Sequence, residues 1–191
     1  MAPGRQYCMY CGDNLGTDID HFDPMSRSPR RTFDWLNHLL ACSACNSHHK
    51  RDRFPVDSEG NPLLIDPTAE DPFDHLLLAL SVGEYQPLSD KGRVTIEVFG
   101  LNRPLLARGR QQARRVVSRS LRELWRALGR GDEKAVEEAL LCIREQPLAD
   151  VCQAMVRLAS TKRAQIVFGQ DEDLVGPLRN PEMRGLLTTW R

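Results

Sequence analysis

The sequence predicts an α+β fold, with a small metal-stapled region of short strands followed by a helical region. Two Cys-x2-Cys pairs bracket a polar segment with strand-like alternation near the start of the chain. From residue 104 onward, apolar residues recur at helical spacing. Turn-forming Asp-Pro pairs lie between these two regions. We therefore divide the chain into a core at 1–57, an extension at 58–103 and a helical region at 104–191.

Composition limits the classes of protein to which the chain can belong. The 191 residues are 41% hydrophobic and contain no apolar run long enough to span a membrane. The start of the chain, Met1–Arg5, carries no apolar segment of the kind found in secretory signals. We therefore expect a cytoplasmic protein without a membrane anchor.

Charge is balanced over the whole chain but not locally. The chain has 26 basic and 26 acidic side chains, so its overall balance does not indicate a nucleic-acid partner. Between residues 27 and 53, basic side chains outnumber acidic ones by six to two. The basic set is Arg27, Arg30, Arg31, Lys50, Arg51 and Arg53, and the acidic set is Asp34 and Asp52. This local surplus favours contact with phosphates.

The cysteine spacing is the strongest local signal. Cys8/Cys11 and Cys42/Cys45 form two pairs that can close one tetrahedral zinc site. Disulfides are the main alternative, and the missing secretory signal argues against them. A redox-active pair is the remaining alternative. Cys142 and Cys152 match no ligand pattern and are expected to be small buried thiols.

Two segments enclosed by or following these cysteines carry the polar residues of interest. Thr17–Phe22 alternates like a strand and ends before Pro24, which places Asp20 and His21 at the strand exit. Asn46–Arg53 is predicted to be a short helix that ends at Pro55. On that helix, one face carries Asn46, His49, Lys50 and Arg53, and His48 points away from it.

These residue types suit phosphodiester chemistry. The oxygens of Asp20 and Asn46 are hard ligands that suit Mg2+ or Mn2+. A neutral imidazole at His21 suits removal of a proton from water. Lys50 and Arg53 would then contact the phosphate backbone, together with Arg51 and Arg31.

The order and spacing of five segments resemble the HNH endonucleases, which have a ββα-metal fold and a four-cysteine zinc site. The segments are Cys8–Gly12, Asp20–Pro24, Phe33–Asn37, Ala41–Asn46 and Lys50–Pro55. The resemblance implies that His21 is the general base and that Asn37 braces the loop between the strands. It also implies that Asp20 and Asn46 bind one catalytic cation, and that hydrolysis leaves a 3′-hydroxyl and a 5′-phosphate.

The chain departs from the usual family pattern at two positions. Many family members have a histidine where Asn46 stands, and here His49 follows three residues later, so His49 is an additional candidate ligand. His38 occupies a position that is usually apolar, and we expect it to be a partly buried polar side chain.

The resemblance also implies a biological role and partners. Small proteins of this family often act on DNA in restriction or anti-phage defence, beside an ATPase or sensor subunit. A second copy of the chain is the other partner that the helical region suggests. Two alternatives stay open from the sequence: a non-catalytic zinc-knuckle module that binds nucleic acid, and a nuclease directed at RNA.

The remaining elements follow from periodicity and capping residues. Asp71–Pro72 predicts the start of a short helix, and Val94–Val98 alternates like a strand. We expect the extension to pack on the core. Pro104 opens the longest helix, and further helices are expected after Asp132, after Pro147 and from Pro181.

The longest helix carries a stripe of arginines. The stripe is Arg108, Arg115, Arg119, Arg122 and Arg126. Nearby acidic residues are scarce, which predicts that these arginines form no intramolecular ion-pair lattice. The stripe is either a solvated face or a surface for DNA or an acidic partner.

Overall fold

The computed structural model describes residues 6–13 and 15–188. The expectation drawn from Met1–Arg5 lies outside the described residues. The chain divides into two compact units. The first unit contains the described residues up to Ala79 together with Glu84–Ala107, and the second contains Leu80–Gly83 and the described residues from Arg108.

The first unit begins with the ββα arrangement that the resemblance implies. β1 (Asp18–His21) pairs antiparallel with β2 (His38–Ala41), with Asp20 opposite Leu39 and His21 opposite His38. Side chains alternate between the two faces of the hairpin, so Asp20, Leu39 and Ala41 are buried and Ile19 is exposed. Residues 22–37, called the connecting loop below, join the strands and contain two short 3-10 turns, Pro29–Arg31 and Trp35–Asn37.

The helix after β2 lies two to three residues earlier than the sequence predicts. Ala44–Lys50 is wound as a π-helix, and Arg51 at its end has a φ of 53°. The amide of Arg51 donates to the carbonyl of Asn46 at 2.7 Å, which is the wide five-residue spacing of a π-helix. The wide winding changes which side chains share a face. Asn46, His49, Lys50 and Arg53 are therefore not arranged on one face as they would be on a regular α-helix.

The extension contributes a second hairpin and a helix to the first unit. Pro72–Asp74 forms a 3-10 turn, and the Asp71 carboxylate caps it by accepting from the Phe73 amide at 3.0 Å. β3 (Leu76–Ala79) pairs antiparallel with β4 (Glu84–Pro87). α1 (Asp90–Phe99) follows. The ring of Phe99 stacks on Tyr10 at a centroid distance of 4.0 Å, so α1 packs against the cysteine-bearing segment.

The prediction of a strand at Val94–Val98 is wrong, since these residues lie within α1. The buried side chains of Val94, Val98 and Phe99 are spaced four and one residues apart, which is a helical pattern. The Ser89 hydroxyl caps the helix by accepting from the Gly92 amide at 3.1 Å. Gly100 ends it with a φ of 57°. Alternation over five residues fits a strand as well as a helix, and the capping residues at the two ends decide for a helix.

Gly100 is a position where we expect substitution to cost stability. Its left-handed conformation disfavours a side chain, and an added Cβ would lie 2.6 Å from Cε1 of His49. Gly100→Ala is therefore expected to lower the free energy of unfolding by about 1–3 kcal/mol, measured by urea denaturation. Gly129→Ala is the matched control, because a Cβ there meets nothing within 4 Å. Equal stabilities of the two variants would contradict this account.

The second unit is helical, as the sequence predicts. It contains most of α2 (Pro104–Arg130), followed by α3 (Glu133–Arg144), α4 (Asp150–Leu158), α5 (Ala164–Phe168), α6 (Val175–Arg179) and α7 (Pro181–Thr188). Asp132 and Asn180 cap α3 and α7 through their side-chain oxygens. The apolar stripe of α2, including Val117, Leu121 and Leu124, is buried.

The arginine stripe does take part in ion pairs, which corrects the prediction of no such lattice. Arg122 pairs with Asp171 at 3.0 Å and with Asp173 at 2.7 Å, and Arg114 also pairs with Asp171 at 3.0 Å. The hydrogen bonds from Arg122 lower the pKa of Asp173 below its usual value. These acids follow Arg122 by 49 and 51 positions in the chain, so local sequence cannot reveal them. Arg108, Arg115, Arg119 and Arg126 are exposed.

The two isolated cysteines differ from each other. Cys152 is fully buried, as expected, and burial raises the pKa of its thiol to about 12. Cys142 is exposed, so the expectation that it is buried is wrong. It lies in α3, and the hydroxyl of Ser120 in α2 donates to its sulfur at 3.3 Å.

None of the helices in the described part of the chain combines the length and the apolar character needed to cross a membrane.

Candidate functional site

The two cysteine pairs come together in the first unit. Cys8, Cys11, Cys42 and Cys45 are buried, and their sulfur atoms lie within 4.8 Å of one another. The Sγ atoms of Cys11 and Cys42 are 3.9 Å apart. Four thiolates around a tetrahedral zinc ion, each about 2.3 Å from it, have sulfur–sulfur edges of about 3.8 Å. The cluster therefore fits a tetrahedral, thiolate-bound ion.

Local backbone turns bring each pair of cysteines together. In the first pair, the Gly12 amide donates to the Cys8 carbonyl at 2.9 Å, and Gly12 has a φ of 70° that a glycine adopts without strain. In the second pair, the Asn46 amide donates to the Cys42 carbonyl at 2.9 Å. Each knuckle thus follows from its own short segment, and the β1–β2 hairpin lies between them.

The four sulfurs cannot all carry a negative charge without a cation. Hydrogen bonds among them, chiefly with Cys11, raise the pKa of Cys8 and Cys45 well above the usual value and lower the pKa of Cys42. Neighbouring thiols at this distance share protons because like charges repel. A divalent ion would supply the missing positive charge and convert all four groups to thiolates.

His21 is the last residue of β1, and its ring has a fixed orientation. Its Nε2 lies 3.1 Å from the carbonyl oxygen of Thr32 in the connecting loop. A carbonyl can only accept, so Nε2 must carry the proton, which leaves the lone pair of Nδ1 able to accept one. His38 lies directly across the hairpin, with ring centroids 4.7 Å apart. The half-buried His38 ring therefore forms one wall beside His21.

The side chain of Asn37 holds the connecting loop in place. Its Oδ1 accepts from the Asp23 amide at 2.8 Å, and its Nδ2 donates to the carbonyls of Asp23 and Arg31, both at 3.1 Å. Asn37 is fully buried. The bond to Arg31 fixes the backbone directly before Thr32, and so it helps to position the carbonyl that orients His21.

Asp20 and Lys50 form a buried ion pair that ties the helix to β1. The Lys50 ammonium lies 3.0 Å from Asp20 Oδ2 and donates to the His21 carbonyl at 2.7 Å. The Tyr10 hydroxyl also donates to the Asp20 carboxylate. Burial raises the pKa of Asp20, and the charge of Lys50 opposes that shift.

The buried position of Lys50 differs from its predicted role as a phosphate contact. Its side chain is fully buried, so the ammonium faces Asp20 and the end of β1 instead of solvent. The sequence predicts that Lys50 shares a helix face with Asn46, His49 and Arg53 and contacts phosphate, whereas its inward direction depends on how the helix packs on the hairpin. In this structure Lys50 holds the strand end that carries His21.

Asp18 is the carboxylate that lies beside Asn46. The Asn46 amide nitrogen donates to Asp18 Oδ2 at 3.3 Å. Asp18 and Asp20 are two residues apart in β1 and so share one face of the hairpin, whereas His21 lies on the other. Asp18 is not among the predicted site residues, although its two-residue spacing from Asp20 is a signal in the sequence that indicates it. The structure thus brings Asn46 to Asp18 and Lys50 to Asp20.

The other predicted site residues have separate surroundings. The His49 ring lies against Gly100, and burial followed by the charge of Arg103 lowers its pKa. Arg53 donates to the His49 and Val98 carbonyls, at 3.0 and 2.8 Å, and so caps the end of α1.

Arg51 is exposed, with a bond to the Ser47 carbonyl. Arg31 pairs with Asp34 at 3.2 Å and with Asp23 at 3.5 Å.

Asp20 and Asp18 should differ strongly in their contributions to stability. Asp20→Ala leaves the ammonium of Lys50 buried and unpaired, which is expected to lower the free energy of unfolding by about 3–5 kcal/mol. Asp18→Ala removes a half-buried carboxylate with a 3.3 Å bond and is the matched control, with an expected loss of about 1 kcal/mol. Urea denaturation of the two zinc-loaded variants would measure both. If both lose the same stability, the ion pair does not have the structural role described.

Comparison with known proteins agrees with this geometry. Residues 8–52 match the HNH endonuclease family, and the match covers both cysteine pairs, the β1–β2 hairpin and the helix after it. These residues therefore form an HNH endonuclease domain.

The chain is also similar to a curated protein, the Septu protein PtuB of Bacillus mycoides (strain KBAB4). The two are 33% identical over an 82-residue alignment that covers 36% of this chain and 28% of that protein. The match thus spans less than a third of the relative. No solved structure matches the chain.

Proposed function

We propose that this chain is a metal-dependent endonuclease that hydrolyses DNA phosphodiester bonds, with His21 as the general base. The observation that carries the proposal is the bond between His21 Nε2 and the Thr32 carbonyl, within an HNH domain. It leaves Nδ1 as the proton acceptor of a ring that cannot easily rotate. A base held in one tautomer and one orientation is what abstraction of a proton from water requires.

In the proposed reaction, Nδ1 of His21 removes a proton from a water molecule as the water oxygen attacks phosphorus. The bond from phosphorus to the 3′ oxygen then breaks, and that oxygen takes a proton from solvent water, leaving a 3′-hydroxyl and a 5′-phosphate. Asn37 and Thr32 position the His21 ring, and Lys50 holds the backbone at the end of β1. The exposed Arg51 and the partly exposed Arg31 would contact the flanking phosphates.

Asn46 and the aspartates of β1 are the proposed ligands of a catalytic Mg2+ or Mn2+. Their amide and carboxylate oxygens match the preference of these ions, and Asp18 already contacts Asn46 at 3.3 Å. Because Asp18 and Asp20 share one face of the hairpin and His21 lies on the other, the bound phosphate would have to reach both faces at the end of β1 for this ion and His21 to act together. Such an ion would stabilise the charge that develops on the phosphate oxygens and the leaving oxygen. Asp20 would bind the ion only if its carboxylate contacted both the ion and the Lys50 ammonium. His49 is the additional candidate ligand, and its ring lies against Gly100 at the end of α1.

The four-cysteine cluster is proposed to bind structural zinc. Both β strands of the hairpin have four residues, and such short strands need additional support. Zinc binding would supply it by joining the segment before β1 to the segment after β2.

We propose a role in anti-phage defence, beside a partner subunit such as an ATPase or sensor. The support is the similarity to the Septu protein PtuB, together with the HNH domain. The exposed arginines of α2, such as Arg115 and Arg119, are available for an acidic partner or a second copy.

A nuclease assay tests the proposed function. The zinc-loaded full chain would be incubated with supercoiled plasmid, linear duplex, single strands and RNA, each with Mg2+, with Mn2+ or with EDTA. We expect cleavage of DNA that requires the divalent ion. Absence of cleavage of every substrate, or cleavage that persists in EDTA, would contradict the proposal.

A further inference from the structure

The connecting loop presents an exposed apolar surface beside His21. Phe33 is 91% exposed, Trp35 is 78% exposed and Leu36 is 62% exposed. The stretch of four residues from Phe33 to Leu36 therefore has three large apolar side chains in solvent. We call Phe33 and Trp35 the loop aromatics. Such a concentration of exposed apolar area in a folded chain indicates a binding surface.

The loop that carries these rings is held in a defined conformation. Asn37 bonds to the backbone at Asp23 and Arg31, and the Ser28 hydroxyl donates to the Asp23 carboxylate at 2.7 Å. Phe22, at the start of the loop, packs edge-on against Phe54 at 5.3 Å. The loop thus buries one aromatic side chain and several polar groups while the loop aromatics point outward. Their exposure is therefore a property of a fixed loop rather than of a frayed segment.

The loop aromatics are also close to the proposed base along the chain. Phe33 follows Thr32 directly, and the Thr32 carbonyl is the group that accepts from His21. Neighbouring Cα atoms are about 3.8 Å apart, so the Phe33 backbone lies next to the group that orients the base. A ligand whose phosphate reaches His21 would therefore have its neighbouring groups near this loop.

The charges on the loop match a nucleic-acid strand. Arg30 is exposed, and within residues 6–13 and 15–188 it forms no hydrogen bond or ion pair with another side chain. Arg27 is exposed too, and its guanidinium lies 4.7 Å from the centre of the Phe54 ring. Exposed rings and exposed guanidinium groups within one loop are a combination that binds single strands, because bases stack on the rings and phosphates pair with the cations.

We infer that Phe33 and Trp35 stack on unpaired nucleobases next to the scissile phosphate, so that the substrate is a single-stranded or looped stretch of nucleic acid. This inference rests on the proposed function and specifies its substrate class. In a duplex the faces of the bases are covered by their neighbours, so the loop aromatics gain contacts only where bases are unpaired. DNA and RNA single strands share this chemistry, and the experiment separates them.

Binding of short labelled oligonucleotides to the full chain tests the inference. His21→Ala is used as the background so that the oligonucleotides stay intact, and fluorescence anisotropy compares a DNA single strand, an RNA single strand and a DNA duplex. Phe33→Ala and Trp35→Ala are each expected to weaken single-strand binding about tenfold, within the usual range for one lost base-stacking contact. Duplex binding is expected to change less than about twofold, since it depends on phosphate contacts.

Three further variants make the result specific to stacking. Trp35→Phe keeps an aromatic face and should retain most of the single-strand affinity, whereas Trp35→Leu keeps apolar area without that face and should lose affinity as Trp35→Ala does. Ile166→Ala is the control for an exposed apolar side chain elsewhere, since Ile166 is 83% exposed in α5, and it should bind like the background.

Two results would overturn the inference. One is an unchanged single-strand affinity in Trp35→Ala and Phe33→Ala, which would leave the rings as a surface for a protein partner. The other is an equal loss of affinity for single strand and duplex. The proposed function is contradicted by a different result, which is absence of cleavage by the parent chain. The binding measurement tests stacking whether or not the parent chain cleaves.

Discussion

Replacing His21 with alanine is expected to lower the rate of phosphodiester cleavage by about 10²- to 10⁴-fold, the usual contribution of a general base. The Thr32 carbonyl fixes the proton on Nε2, so the imidazole presents Nδ1 as the acceptor, and alanine has no group to replace it. The fold should survive, because the ring is half-buried and the backbone bond from Lys50 does not depend on the side chain. Single-turnover rates on a labelled oligonucleotide measure the effect.

His48→Ala is the matched control for this prediction. His48 lies in the same region, but its ring is exposed and bonds to the Ser43 carbonyl at 3.1 Å. Its removal should leave the rate within about twofold of the parent, since an exposed residue away from the site rarely matters. A His21→Ala variant that cleaves as fast as the parent would show that His21 is not the general base.

Replacing Cys45 with serine is expected to remove the bound zinc and to unfold the first unit. Cys45 is fully buried among the other three sulfurs, and a structural zinc site contributes about 10–16 kcal/mol of apparent binding free energy that is coupled to folding. The strands of the hairpin are short, and the cysteine pairs join the segments on either side of it. Loss of the ion should therefore expose Leu39 and Phe22, which are now buried.

Metal analysis and circular dichroism check this expectation together. The parent should contain one zinc per chain and lose structure when a strong chelator removes it. Cys142→Ser is the control, because Cys142 is exposed and lies outside the cluster, and it should keep the full zinc content. A Cys45→Ser variant with parental zinc content and thermal stability would show that the cluster is not a structural metal site.

The ββα arrangement and the cysteine cluster could be predicted because their signals are local. The two-residue gap within each cysteine pair determines a knuckle, and the segment from Thr17 to Phe22 shows its strand by alternation. The partners of Lys50 and Asn46 could not be predicted in the same way. Their direction depends on the π-helical winding of Ala44–Lys50 and on how that helix packs on β1. A regular helix therefore places Lys50 on one face with Asn46, His49 and Arg53, where it would contact phosphate, and the structure places it inside.

Long-range partners account for the other differences. Arg122 meets Asp171 and Asp173, which follow it by about fifty residues, so the local scarcity of acids gave the wrong expectation. The helix at Val94–Val98 was misread because five alternating residues fit a strand as well as a helix. Ser89 and Gly100 at its two ends carry the capping information that decides between them.

The most direct test of the account follows the oxygen of the attacking water into the product. The zinc-loaded parent chain would cleave a defined DNA strand in water enriched in oxygen-18, with Mn2+ present, and mass spectrometry would examine the ends. The account predicts one heavy oxygen on each new 5′-phosphate and none on the 3′-hydroxyl. An unlabelled 5′ end, or a phosphate left on the 3′ side, would contradict hydrolysis by a water molecule that His21 activates.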